Sequence, residues 1–306
     1  MIKVFGHQSP DTDATGSAII WSWYLNQHTG VEAMPYVLGT LNSETQWVLQ
    51  RWSVETPTLL ESVTAEDEVV IVDTNNPQEL FENINHTTII TILDHHKLVG
   101  GLSSASPTTI TMRPLASTAS VLYGEMGAHA SSLPDYIAGI MLSCIISDTL
   151  EFRSPTTTPA DVDIAEKLAT QLGLDIHEYA TEMFAAKSDV SNFSDKGLIT
   201  LDSKKFMVGD VNIRVSVIET TSPDTILDRS DGIRTAIAEL ITEESDVDEV
   251  LFFIIDILHE SATVFITNDR VKSIIEQSFD VTCEAATELL PGIVSRKKQI
   301  LPALTV

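Results

Sequence analysis

The run Val69-Val70-Ile71-Val72 narrows the choice of fold more than any other stretch of this chain. Four consecutive β-branched apolar residues leave no polar face, so a strand made from them must be covered on both sides. Strands of that kind belong to parallel sheets packed between helices, and the flanking sequence agrees. Ile2 to Gly6, Val31 to Leu38 and Thr88 to Leu93 read as further strands. Segments of helical period fall between and after them, at Asp13–Gln27, Glu44–Trp52, Ser117–Met126, Leu133–Ser147, Ala160–Leu172 and His177–Ala186. Alternation of this kind predicts an α/β chain whose N-terminal domain is a parallel sheet with helices on both faces.

At 306 residues the chain has room for about two such cores. The apolar periodicity lapses near Lys187 to Lys196 into Ser, Asp, Asn and Lys, which reads as a linker. The predicted division is residues 1–187, a linker at 188–196, and a smaller C-terminal α/β domain at 197–306. In the latter, Lys205–Val208 and Val211–Val217 flank the turn Gly209-Asp210 as a hairpin. A helix near Thr225–Ile241, strands at Val250–Leu258 and Ala262–Thr267, and two helical stretches complete it.

The chemistry gathers where the strands of the first domain stop. The first strand runs into His7, with Asp11 and Asp13 in the turn beyond it. The run Val69–Val72 ends on Asp73, and the next strand ends on Asp94-His95-His96. Ligands of an open parallel sheet sit beyond the carboxyl ends of its strands, so these groups should converge. Asp148 joins them from the end of a helix that is apolar on nearly every face and therefore buried. A carboxylate delivered there needs a cation or hydrogen bonds. Four of these aspartates and two of these histidines as ligands, with no cysteine, favour Mn²⁺, Co²⁺ or Mg²⁺ over structural zinc. That is too many donors for one open catalytic ion. Two ions sharing a carboxylate is the economical arrangement, and it suits phosphoryl transfer. Taken singly, Asp11-Thr12-Asp13 reads equally well as a helix cap, and Asp73 as a loop residue.

Charge and motifs remove several other classes. With 44 acidic against 18 basic side chains the formal net charge is -26, which opposes binding to nucleic acid or an anionic membrane surface. No run of 18 apolar residues is present to span a membrane, the start lacks the layout of a signal peptide, and the two cysteines read as reduced thiols. The expected compartment is the cytoplasm. Neither a phosphate-binding G-x-x-x-x-G-K-[ST] loop, a G-x-G-x-x-G turn nor an H-E-x-x-H helix occurs. In so acidic a chain, the basic triplet Arg296-Lys297-Lys298 is the strongest candidate for an anion clamp. By itself it reads more readily as a cation-rich helix end or exposed tail.

Gly6-His7-Gln8-Ser9-Pro10-Asp11-Thr12-Asp13, Val72-Asp73, Asp94-His95-His96, Ser147-Asp148 and Ser295-Arg296-Lys297-Lys298-Gln299 occur in this order, with Leu201-Asp202-Ser203-Lys204 between the last two. This ordered set resembles the family II inorganic pyrophosphatases of the DHH phosphoesterase superfamily. The resemblance implies that His7, Asp11 and Asp73 hold one Mn²⁺, and Asp13, Asp73, His95 and Asp148 a second. Co²⁺ or Mg²⁺ are possible substitutes, and a further Mg²⁺ arrives with the substrate. It implies that His96 faces the bridge of pyrophosphate as a hydrogen-bond donor, and that Lys204, Arg296 and Lys297 cover its phosphates. The reaction implied is attack by a metal-bridging hydroxide, in a homodimer. One departure is visible. The family commonly reads His-Asn-Glu after the shared aspartate, whereas this chain has Thr74-Asn75-Asn76, which bears on metal preference. Competing readings are an exopolyphosphatase or other phosphoesterase of the superfamily, and a metal-binding scaffold without catalysis.

Overall fold

The computed structural model describes residues 1–187, 190 and 192–305, which form two compact units, Met1–Ala186 and Lys187–Val306. In the first unit the strands are β1 (Ile2–Phe5), β2 (Ala33–Val37), β3 (Thr58–Leu59), β4 (Glu68–Val72), β5 (Thr88–Asp94) and β6 (Thr109–Met112). They make one sheet in the order β3-β2-β1-β4-β5-β6, and every pairing is parallel. The chain winds outward from β1 to β3 and then returns to β4 on the other side of β1. Strand order therefore reverses between β1 and β4, the position where the carboxyl ends of adjacent strands part to leave a crevice.

The helices are α1 (Thr12–Tyr24), α2 (Ser43–Arg51), α3 (Thr118–Met126), α4 (Asp135–Thr149), α5 (Pro159–Leu172) and α6 (Ile176–Lys187). Residues 137–147 of α4 are all buried, as a sequence apolar on nearly every face requires. It lies close against α1, where a Cβ on Gly16 would stand 2.3 Å from the Cys144 sulfur. Glycine at this position is what lets the two helices approach. Phe5, Val69 and Ile71 pack with Leu60, Val63, Leu80 and Ile84, supplied by the segments before and after β4.

The second unit has a mixed sheet in the order β11-β10-β9-β8-β7, with β7 (Ser203–Val208), β8 (Val211–Thr220), β9 (Glu249–Asp256), β10 (Ser261–Phe265) and β11 (Thr287–Pro291). Only β8 and β9 run parallel, joined through α8 (Asp224–Leu227) and α9 (Ser230–Glu243). Alternation sorts the core onto two faces. Val215, Leu251 and Phe253 meet Val271, Ile274 and Ile275 of α10 (Asp269–Phe279), whereas Phe252 and Ile254 meet Ile233, Ile237 and Leu240 of α9. The buried Cys283 belongs to the first of these clusters.

The sequence expectation of an α/β chain with a parallel N-terminal sheet and a smaller C-terminal α/β unit matches this architecture. Local differences have identifiable causes. β6 was not expected, because Thr109-Ile110-Thr111-Met112 is a short, half-exposed edge. The single helix expected at Thr225–Ile241 divides at Arg229, whose guanidinium turns away to bond Asp195 and the carbonyls of Val190 and Phe193. Of the two helical stretches expected at the end, only α10 is a full helix. Thr287–Pro291 pairs on β10 instead, and Arg296–Ile300 is a single π-helical turn capped by Ser295. Ser188, Asp189 and Ser191 of the expected linker lie outside the described residues, and α7 (Asp195–Leu201) begins within that stretch, capped by Ser194. No helix among the described residues is long and apolar enough to cross a membrane.

Candidate metal centre

His7, Asp73 and His95 follow the ends of β1, β4 and β5, so the reversal of strand order delivers them to one crevice. Asp11 caps α1, its side chain accepting from the Ala14 N–H at 2.9 Å, and Asp13 lies in the first turn of that helix. Asp148 stands in the last turn of α4. The chain then leaves through Leu150, Glu151 and Phe152, all at positive φ, which ends the helix abruptly. Asp73 also has positive φ, +60°, while its N–H still donates to the Leu93 carbonyl at 2.9 Å. Aspartate tolerates this left-handed conformation better than most residues.

The donor atoms fall into overlapping groups. Asp73, His95 and His96 form one, His7, Asp11 and Asp73 a second, and Asp13, His95 and Asp148 a third, each with one ligand atom per residue and all atoms of a group within 4.8 Å. Asp73 lies between the second and the third. Its Oδ2 is 3.4 Å from His7 Nε2, and its Oδ1 is 3.4 Å from His95 Nε2. His95 Nε2 also lies 4.0 Å from Asp13 and 3.9 Å from Asp148. His95 Nδ1 meets the Leu115 carbonyl at 3.1 Å and so carries a proton, which makes Nε2 the nitrogen that a cation can take once it displaces the proton there.

Electrostatics mark the cluster as built for positive charge. Burial raises Asp13, and repulsion from Asp73 adds to it, taking its pKa up to about 7. Burial, then the charges of Asp13 and Asp73, push Asp148 well above the carboxylate range. Burial acts against the charged forms of His7 and His95. Their bonds to neighbouring carboxylates prevail, raising His7 to about 10 and His95 to about 9. Burial opposes ionisation of Asp73 as well, yet its bonds to His7 and His95 hold it well below the usual range. Without a cation, protons do the neutralising. A donor set of imidazoles and carboxylates in this condition fits hard-to-borderline divalent ions such as Mn²⁺.

His96 is placed differently from His95. Its Nδ1 donates to Asp94 Oδ1 at 2.9 Å, and half of the side chain is exposed. That bond, with burial opposing it, raises the His96 pKa. Asp94 is fully buried, and besides His96 Nδ1 it accepts from the N–H groups of His95 and His96 and from Asn75 Nδ2. It shapes the loop and is not part of the metal-ligand groups. Thr74 and Asn76, where the chain departs from the common family pattern, both donate to Glu79, while the Gln8 N–H donates to the Glu79 carbonyl. They therefore secure the loop beside His7. A cavity of about 480 Å³ lined by His7, Gln8, Ser9, Gln78, His96 and Lys97 adjoins a smaller one of about 190 Å³ over Asp11, Asp73, His95 and Asp148.

Sequence reasoning missed the groups that hold the ligands. Asp13 accepts from Ser117 Oγ at 2.8 Å, the Thr118 N–H at 2.6 Å and the Ala119 N–H at 3.1 Å, all at the start of α3. Thr118 Oγ1 donates to Asp73 Oδ1 at 2.9 Å. The buried Glu44 accepts from Thr12 and Ser147, the immediate neighbours of three ligands. The only signal was that Ser117-Thr118 opens a helix. In the second unit Lys204 and Lys297 are exposed, whereas Arg296 pairs with Asp202, through its carbonyl at 2.9 Å and its carboxylate at 2.8 Å.

Comparison with known proteins places this arrangement. The profile of the DHH family, N-terminal domain, matches residues 1–145, and that of the DHHA2 domain matches residues 181–306. The manganese-dependent inorganic pyrophosphatase of Bacillus subtilis (strain 168) is 36% identical over 306 residues, covering 99% of this chain and 97% of its own. A protein of Exiguobacterium sp. assigned the same activity is 36% identical over 305 residues, with the same coverage. A Methanococcus jannaschii protein of known structure, assigned to the family II inorganic pyrophosphatases, is 33% identical. It superposes with a TM-score of 0.61 across 99% of this chain and 98% of its own.

Proposed function

This chain belongs to the manganese-dependent, family II inorganic pyrophosphatases, and on that premise we propose that it hydrolyses inorganic pyrophosphate to two phosphates at the Asp73 centre. The observation that carries this reading is the position of Asp73, with one carboxylate oxygen toward His7 and the other toward His95. His7, Asp11 and Asp73 would hold one Mn²⁺, and Asp13, Asp73, His95 and Asp148 a second, with Co²⁺ or Mg²⁺ as substitutes. Bound divalent ions supply Lewis acidity, making water more acidic and offsetting the charge of phosphate oxygens.

The remaining work falls to side chains. Lys204, Arg296 and Lys297 bind the phosphate oxygens of a pyrophosphate that brings its own Mg²⁺. Arg296 exchanges Asp202 for phosphate, a trade that its planar fork suits. Water attacks one phosphorus in line as the bond to the bridging oxygen breaks. His96, aimed by Asp94, gives its proton to the departing oxygen, and its raised pKa favours the protonated form that this requires. The family resemblance extends the proposal to a cytoplasmic homodimer. Sedimentation as a monomer would remove the dimer.

Phosphate release from pyrophosphate, tripolyphosphate and a dinucleotide, each with Mn²⁺, is the test. Turnover of pyrophosphate at least tenfold above the others is expected. Preference for either of the others would replace this substrate.

A further inference from the structure

Asp161 is a carboxylate with no exposed surface that stands outside the metal-ligand groups, and among the described residues no ion pair neutralises it. Burying a carboxylate is costly unless hydrogen bonds replace its water. Here Oδ2 accepts from the Thr158 N–H at 2.9 Å and Thr158 Oγ1 at 2.6 Å, the capping box of α5. Capping alone does not require burial, since a capping-box carboxylate works at the surface. The remaining bond accounts for it. The Ala116 N–H reaches both oxygens, at 3.2 and 3.1 Å, across 45 positions of sequence.

Ala116 lies in the middle of the segment that grips the centre. The Leu115 carbonyl fixes the His95 tautomer, Ser117 and the N–H groups of Thr118 and Ala119 hold Asp13, and the Thr118 hydroxyl bonds Asp73. Three of the ligands thus lean on one stretch, and Asp161 is the anchor behind it. We propose that Asp161 is a positioning residue of the metal centre, acting through the Ala116 N–H to set Asp13 and His95 for the ion they share with Asp148. The inference rests on the two-ion reading above. It says nothing of the substrate, so the two can fail separately.

Two substitutions separate the anchor from the cap. In Asp161→Asn an amide oxygen in the Oδ2 position keeps both Thr158 bonds, while the NH₂ group replaces the other oxygen that the Ala116 N–H reaches, donor facing donor, and so weakens the anchor. Thr158→Ala weakens the cap and leaves Asp161 on Ala116. The measurements are Mn²⁺ titration followed by electron paramagnetic resonance, and the melting temperature of the metal-free protein. Asp161→Asn should bind one of its two Mn²⁺ ions tenfold or more weakly, the other unchanged, as loss of an outer hydrogen-bond partner typically does. Thr158→Ala should lower the melting temperature and leave both affinities as they were. Equal Mn²⁺ affinities in Asp161→Asn and the parent, or the same Mn²⁺ loss in both variants, would overturn the proposal. Hydrogen exchange supplies a check on the unaltered protein. The Ala116 amide should be protected without metal, and exchange at the free-peptide rate would also overturn it. Should the parent bind two Mn²⁺ yet leave pyrophosphate intact, the substrate assignment falls and this inference stands.

Discussion

Asp11 and Asp13 stand two residues apart on the same turn, yet their surroundings have little in common. The Asp11 side chain is 46% exposed and caps its own helix, whereas Asp13 is 1% exposed and accepts from Ser17, Ser117, Thr118 and Ala119. The difference extends to the groups they head. His7 and His95 are about equally exposed, at 15% and 14%, but His95 and Asp13 are braced from behind by the start of α3, whereas Asp11 lies open to solvent. A ligand already held by several donors loses little freedom when a cation arrives, and an exposed one must be ordered at that moment. The buried half should therefore retain its ion more firmly, and the open half should exchange. Asp73 reaches a histidine of each, His7 through one oxygen and His95 through the other.

Removing the shared member should erase the contrast. Asp73→Asn keeps the left-handed backbone accessible and should weaken both ions together, with activity falling by roughly 10³-fold or more. Full occupancy by two ions in that variant would mean that Asp73 does not bridge. Adjacent histidines give the next contrast. His95→Gln should lose metal, while His96→Gln should keep it and turn over about 10²-fold more slowly, as loss of a general acid implies. Equal metal loss in both would end the separate role given to His96.

Acid should act unequally on the two halves. In the metal-free protein His7 keeps its proton up to about pH 10, His95 to about 9 and Asp13 to about 7. Each proton displaced makes apparent affinity rise about tenfold per pH unit while pH remains below that pKa. The open half releases one proton, from His7. The buried half releases two below pH 7, from His95 and Asp13. Between pH 7 and pH 6 the buried half should lose about 100-fold in affinity and the open half about tenfold, read by calorimetry in two buffers. Equal slopes would deny the difference in build. The smallest effect expected is that of Asp11→Asn, about tenfold on one ion and none on the other, since only an exposed ligand is altered. Dialysis and metal counting would reveal any wider loss.

The strand ends were legible because their chemistry breaks an apolar run at the position where a parallel sheet exposes its crevice. His7, Asp73 and His95 needed no partner sequence to be noticed. The groups bracing them were not legible, because Ser117 and Asp13 are separated by 104 positions and Asp161 and Ala116 by 45. Nothing local distinguishes a serine that caps a helix from one that also holds a carboxylate. The second unit was harder for another reason. Thr287-Glu288-Leu289-Leu290-Pro291 carries a charge and a proline, which an edge strand tolerates and a buried one does not.

Cys144, wedged where Gly16 lets α1 meet α4, has a counterpart in Cys283, so each unit carries one thiol and each thiol is buried. Burial alone raises both above the ordinary thiol pKa, and the acidic neighbours of each add to it. Neither can react until its surroundings part. The chain is thus equipped with two internal clocks for alkylation, one per unit. Adding Mn²⁺ should slow the first by stabilising the closed form that binds it, and leave the second running at its own pace.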